Sequence, residues 1–296
     1  MAGATSSQVG GLALNGYQIC FVKVVPYTRM TFVDPNGEII CGDFDHNLEL
    51  VSPGIQIHGF KCLLEPHPVE LDMLVPLWGY NESPTDTFTP EDSLDDFTSL
   101  IRLKSSTNVT LTYANCKVNK TIVRGQKGGH PMSVEMDIWA KTIAEGSTFS
   151  PTTITEQAPY SFTRGALSLA STATAMSSFV WVHDNHLVRR FNNAVTADVI
   201  QNYQRTVHLG CNTPYTDDED GLLTTALGAS REAGIAGSVT FTNGNRSFAM
   251  SITKMLWEGT PPQIGPKPEE TRMSQWYKAY SSSGGATCTI TQDNTA

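Results

Sequence analysis

His183-Asp184-Asn185-His186 crowds metal-ligand side-chain types into one short stretch of the sequence. A bound ion needs its donors to converge on one side of the backbone. The preceding Phe179-Val180-Trp181-Val182 predicts a strand, and strand geometry sends His183 and His186 to opposite faces. The pattern therefore predicts a strand ending in a polar turn, and no metal site. The same parity separates His208 from Cys211 and removes a thiol–imidazole pair. Gly125-Gln126-Lys127-Gly128-Gly129-His130-Pro131 has the flavour of a phosphate loop but lacks its spacing. Its later counterpart, Gly265-Pro266-Lys267-Pro268, carries prolines where backbone donors would be needed, so both read as strand connections. Acidic residues gather at Asp86, Glu91, Asp92, Asp95 and Asp96, and again from Asp217 to Asp220, without the alternation of oxygen ligands that a calcium loop requires. No G-x-S-x-G, H-E-x-x-H or glycine-rich nucleotide motif occurs. The expectation is a protein with no catalytic residues, no cofactor and no metal.

Such a chain must be understood through the elements that carry these residues. Its 296 residues suffice for two ordinary domains. Hydrophobic residues make up 40% and charged residues only 17%, with Ser, Thr, Asn and Gln supplying the remaining polarity, a balance that favours strands and loops. The net charge of −9 argues against a surface that grips phosphates, because nucleic-acid affinity rests on clustered Lys and Arg. The six cysteines are dispersed with no C-x-x-C pair, so free thiols are expected. Residues 1–16 show no basic stretch followed by an apolar one, and no run of eighteen apolar residues occurs. The expectation is a chain neither exported by a cleaved signal nor spanning a membrane.

An internal repeat organises the sequence. Shifted by 137 positions, residues 108–141 align without a gap on 245–278 and share eight identities in 34 positions, among them Lys117 with Lys254, Met136 with Met273 and Trp139 with Trp276. Upstream, Leu74 and Gly79 match Leu223 and Gly228, His58 matches His208, and Asn47 matches Asn185. The changing shift places an additional segment in each copy, Asn81 to Asp96 in the first and Leu187 to Asn202 in the second. The predicted organisation is a first unit at 1–144, a linker at 145–159 rich in Thr, Ser and Pro, and a second unit at 160–296. Alternation over 109–113 and 133–138 predicts half-buried strands, and Asn36-Gly37 and Asn243-Gly244 predict hairpin turns. One short helix per unit is expected, from Pro68 to Trp78 and from the capping box Thr216-Asp217-Asp218-Glu219 to Gly228.

If Val134, Met136 and Ile138 face the core, Trp139 shares the opposite, polar face with Glu135 and Asp137, and Trp276 holds the matching place. Large aromatic rings on polar faces need cover. Either the helix of the same subunit supplies it or a neighbouring subunit does, which makes Trp139 and Trp276 candidate inter-subunit contacts.

The phrase running from Thr107-Asn108-Val109-Thr110-Leu111 through Gly128-Gly129-His130-Pro131 to Met136-Asp137-Ile138-Trp139-Ala140-Lys141 resembles the major tail (tail tube) proteins of siphovirus-type long-tailed bacteriophages. So do Tyr160-Ser161-Phe162, Ser178-Phe179-Val180-Trp181-Val182-His183-Asp184-Asn185, Gly221-Leu222-Leu223 to Gly228, and Trp276-Tyr277-Lys278-Ala279. The resemblance covers roughly residues 40–280 and is one of spacing and residue class. It implies a mainly β fold of two tandem tail-tube-type β-sandwich units, each with one short flanking α-helix, joining their neighbours into a β-barrel ring. The implied function is structural: stacked rings form the tail tube of a virion, assembled in the bacterial cytoplasm, through which DNA is ejected into the host. Duplicated units imply trimeric, pseudo-hexameric rings, with hexameric rings as the alternative. The implied partners are further copies of the chain, a tape-measure protein, tail terminator or tip proteins, and DNA passing through the lumen without specific binding; no membrane is involved. Loops along the axis hold rings together in the family. The unequal segments make Asp86, Glu91, Asp92, Asp95, Arg189 and Arg190 candidate inter-ring positions. Another virion β-protein, such as a capsid decoration or tail tip component, and a carbohydrate-binding β-sandwich are the rival readings.

Overall fold

The computed structural model describes residues 9–33, 52–103, 109–126, 128, 130–155, 157–192, 194–214, 233–258, 272–281 and 287–293. It is mainly β. The strands of the first half are β1 (Val9–Leu14), β2 (Tyr17–Gln18), β3 (Lys23–Val33), β4 (Ser52–Leu64), β5 (Tyr80–Glu82), β6 (Thr87–Pro90), β7 (Phe97–Leu103), β8 (Val109–Gln126), β9 (Ser133–Ala140) and β10 (Thr142–Gly146). Those of the second half are β11 (Gly165–Leu169), β12 (Thr172–Thr174), β13 (Ser178–Asp184), β14 (Val188–Arg190), β15 (Val199–Gln201), β16 (Thr206–Pro214), β17 (Ile235–Asn243), β18 (Arg246–Trp257), β19 (Arg272–Ala279) and β20 (Thr289–Asp293).

A continuous antiparallel succession runs β3-β4-β9-β8-β13-β16-β19-β18. The amino-terminal part of β8 leaves it to pair with β7 and β10, and β1 and β2 extend that second layer. The amino-terminal part of β18 likewise pairs with β17 and β20, with β11 and β12 beyond. The layers meet over buried aromatic pairs, Phe60 with Tyr113 (ring centroids 5.2 Å apart) and Phe179 with Phe241 (5.3 Å). Two packed sheets with alternating inward residues bury an apolar interior while their outer faces stay polar. In β9, Val134, Met136 and Ile138 are fully buried and Glu135, Asp137 and Trp139 are not, as the alternation predicts. Among the described residues β3 has a neighbour on one side only. Pro26, which cannot donate a backbone hydrogen bond, is tolerated in such an edge strand.

The predicted first helix forms as α1 (Pro68–Leu74), followed by a single 3-10 turn at Pro76–Trp78. Proline sits in its first turn, and Glu70 reaches back to accept a hydrogen bond from the His67 N–H (3.1 Å). Gly79 ends the segment at φ 94°, in the left-handed region that glycine adopts without strain. The predicted second helix and the Asn36-Gly37 turn lie outside the described residues. The second-half hairpin is centred one residue later than Asn243-Gly244: Asn243 pairs with Arg246, and Gly244 takes φ 64° at the first central position. Strand β10 runs into the segment predicted to be a linker, and Thr152 is tied to the turn after β1 by hydrogen bonds with Gly16 and Gln18 (2.8 Å each).

Candidate functional site

The histidine of the chemically suggestive tetrad enters a sealed polar node. Its strand, β13, lies between β8 and β16 and turns His183 into the core, where it is fully buried, while His186 is exposed. Asn185 donates through Nδ2 to the carbonyls of Trp78 (3.0 Å) and Val118 (2.9 Å), which leaves Oδ1 as an acceptor. His183 Nε2–H therefore donates to that oxygen (2.9 Å), and its bare Nδ1 accepts from the Tyr80 hydroxyl (2.8 Å). The Cys288 thiol lies 3.1 Å from the same hydroxyl oxygen and completes the chain as its donor. Arg205 adds a hydrogen bond to Asn185 Oδ1 (3.3 Å) and others to the carbonyls of Gly79 and Glu91.

Every member of this chain is held in its neutral form except the arginine. Burial, reinforced by the Arg205 charge, pushes His183 down from 6.5 to about 3. Burial pushes the Cys288 thiol up to about 11 and the Tyr80 phenol well above its usual value. His183, Tyr80 and Cys288 are buried while Arg205 is partly exposed, and these shifts favour neither a thiolate nor an imidazolium. The node can fasten the Trp78–Tyr80 segment to β13 and β20; it cannot supply a nucleophile or a base. Sequence inspection flags His183 and Asn185 but misses Tyr80, Arg205 and Cys288, because residues so far apart in the chain leave no local signature.

The two tryptophans occupy the non-core face of the long succession. Trp139 stands opposite Gly59 and Trp276 opposite Gly210 in their ladders. This glycine-to-glycine correspondence falls one residue later than the match of His58 with His208. A Cβ on Gly210 would come within 2.3 Å of the Trp276 ring, so glycine is what lets that indole lie flat on the sheet. His208 stacks on the same ring at 5.6 Å between centroids, and Glu258 lies 3.8 Å from the histidine.

Within the chain, Trp139 is covered by the β14–β15 segment and not by α1. The Arg189 guanidinium lies 3.8 Å above the indole and donates to the His58 carbonyl (2.9 Å). Asp137 accepts from Trp139 Nε1 (3.1 Å), from Asn119 (3.2 Å) and from the Tyr27 hydroxyl (3.4 Å). Leu187, Ala197 and Ile200 pack with Trp139 and Phe191 in a small apolar cluster of their own, and Gln56 N–H donates to the Val195 carbonyl (2.7 Å). Arg189 is thus an internal clamp, and only Arg190 of the pair is exposed.

The acidic positions do not form one loop. Asp86 sits at the tip of the β5–β6 hairpin with φ 63°, and β6 pairs with β20 of the second half. The Glu91 N–H is bonded to the Gly79 carbonyl (2.9 Å), and the Asp92 carbonyl accepts from Asn202 (2.8 Å). The Asp92 and Asp95 side chains are exposed around the buried Leu94. Among the described residues no group of three or more His, Cys, Asp or Glu side chains is placed to hold a metal ion, and Cys62, Cys116 and Cys288 are free thiols. No described helix is long and apolar enough to cross a membrane. Against models of known protein families and against curated proteins, the sequence finds no match.

Proposed function

We propose that this chain is a structural subunit that polymerises, through its sheet edges, into rings that stack as the tail tube of a long-tailed bacteriophage. The observation that carries this reading is the seven-residue antiparallel ladder between β8 and β13, Gln126 with Ser178 through Lys120 with Asp184, which joins the two halves. On either side of it the pairing order repeats. β3-β4-β9-β8 is followed by β13-β16-β19-β18, each with a preceding or flanking hairpin, β1–β2 and β11–β12, laid on the strand that precedes the long one. The repeat is imperfect: Val118 pairs with Ile138, whereas its counterpart Met255 pairs with Ala279, four residues beyond Gln275. If the halves are tandem units, the β3 edge that has no neighbour among the described residues is the counterpart of the β13 edge that β8 occupies, and the counterpart of the β8 stretch Lys120–Gln126 is 257–263, which starts at the end of β18 and runs on beyond the described residues. A second copy can then repeat the β8–β13 junction, and closure of the series removes the edges at its two ends.

In such a ring the sandwich cores lie outside and the face bearing Trp139 and Trp276 turns toward the channel. On that face Lys120 is paired with Asp184 (3.4 Å) and Arg124 with Glu135 (2.8 Å), which balances these two cations. The tape-measure, terminator and tip proteins would be its partners in the virion. Negative-stain microscopy of the purified protein tests the assignment: rings with a central channel, stacking into tubes, are expected, and a protein that stays monomeric at every concentration contradicts it.

A further inference from the structure

The face of β8, β13, β16 and β19 carries a groove of about 370 Å³ floored by Ile122, Val180 and Val182, walled by His208 and Trp276 and edged by Lys120, Arg124 and Asp184. The corresponding face of β3, β4 and β9 is where the β14–β15 segment lies across Trp139. That covering segment, residues 185–205, connects β13 to β16. It therefore starts from the strand that pairs with β8 and lies back over the sheet on the far side of that junction.

We propose that the groove beside Trp276 is filled in the assembled particle by residues 34–51 of the next copy of the chain. The proposal rests on the ring-forming reading above. Residues 34–51 connect β3 to β4, the same topological place as 185–205 between β13 and β16, and the two connections are of similar length. From a neighbour whose β3 lies beside β18, this connection reaches Trp276 as 185–205 reaches Trp139.

The charges select the same occupant. The segment over Trp139 carries Arg189 and Arg190 against a single acid, Asp198, its third arginine, Arg205, being turned to Asn185, and β9 beneath it carries Glu135 and Asp137. Residues 34–51 have the opposite character, with Asp34, Glu38, Asp43, Asp45 and Glu49 and neither Lys nor Arg. Strand β19 is inverted in step, with Arg272 and Lys278 and no carboxylate. Ile39, Ile40 and Phe44 supply apolar side chains for the floor of the groove. Opposite signs on matched surfaces favour this pairing and disfavour a second copy of the basic segment, which would set Arg against Lys278.

A photoreactive phenylalanine analogue replacing Trp276, in an equal mixture of isotopically heavy and light chains, reads the contact directly. Mass spectrometry is expected to find heavy-to-light cross-links into residues 34–51, lost when the particles are dissociated by dilution. The same analogue at Trp139 is expected to link to the 185–205 segment within one chain. Assembled rings whose position 276 links only within its own chain, or to another part of the neighbour, or to nothing, would overturn this inference and leave the ring standing. Chains that never assemble would overturn the ring itself and this contact with it.

Discussion

His183 shows how a residue type with chemical promise is spent on architecture. Its neutral form is built in: one ring nitrogen donates to Asn185 and the other accepts from Tyr80, so a second ring proton would meet a donor already in place. With the folded value near 3 and an ordinary unfolded value near 6.5, the unfolded chain takes up a proton between these pH values and the folded one does not. Stability attributable to His183 is therefore present above about pH 6.5 and is lost as pH falls toward 3, with a slope approaching ~1.4 kcal/mol per pH unit. Urea unfolding at pH 7 and pH 4.5 is expected to show His183→Gln destabilised by about 2 kcal/mol or more at pH 7, with the gap to wild type narrowing at pH 4.5. Arg189→Ala makes a second test at this scale. Loss of the stacked guanidinium removes about 0.5–2 kcal/mol of local stabilisation, and hydrogen exchange at the Gln56 and Leu187 amides is expected to accelerate while the β9 amides keep their protection. Of these residues, His183 and Asn185 are legible in the sequence because they sit together. Their partners are not, since Tyr80 and Cys288 reach them only through strand order.

At the level of elements, what can be read is what alternates. β9 and β13 bury every second side chain because one face meets the opposing layer, so their period is visible in the residues themselves. β8 hides its 18-residue length: it passes from one sheet to the other, turns at Asn115 with φ 50°, and its ladder with β9 slips between Val118 and Lys120, each irregularity resetting the parity. The β14–β15 segment is legible as an addition but not in its role, because Trp139 and Arg189 are distant in sequence. Glycine opposite tryptophan is a feature of these elements that can be tested. Gly210→Ala sets a methyl group against the Trp276 ring, and the expected result is a loss of about 1–3 kcal/mol with a shift in tryptophan emission as the indole is displaced. An unchanged spectrum and unchanged stability would mean that the indole does not lie on Gly210.

For the whole molecule, the proposed reading makes joining to its neighbours the chain's function. Its product is an edge, and its two halves already demonstrate the joint by which edges meet. The rival readings place no demand on β3 or on the end of β18, whereas assembly requires both. The most direct measurement is the native mass of the closed particle formed by the purified protein, taken together with its microscope image. Six-lobed rings containing three chains, two lobes from each, are the result expected if β18 meets β3 as β8 meets β13. Six chains per ring, or a monomer that presents both edges to solvent without joining them, would contradict the account.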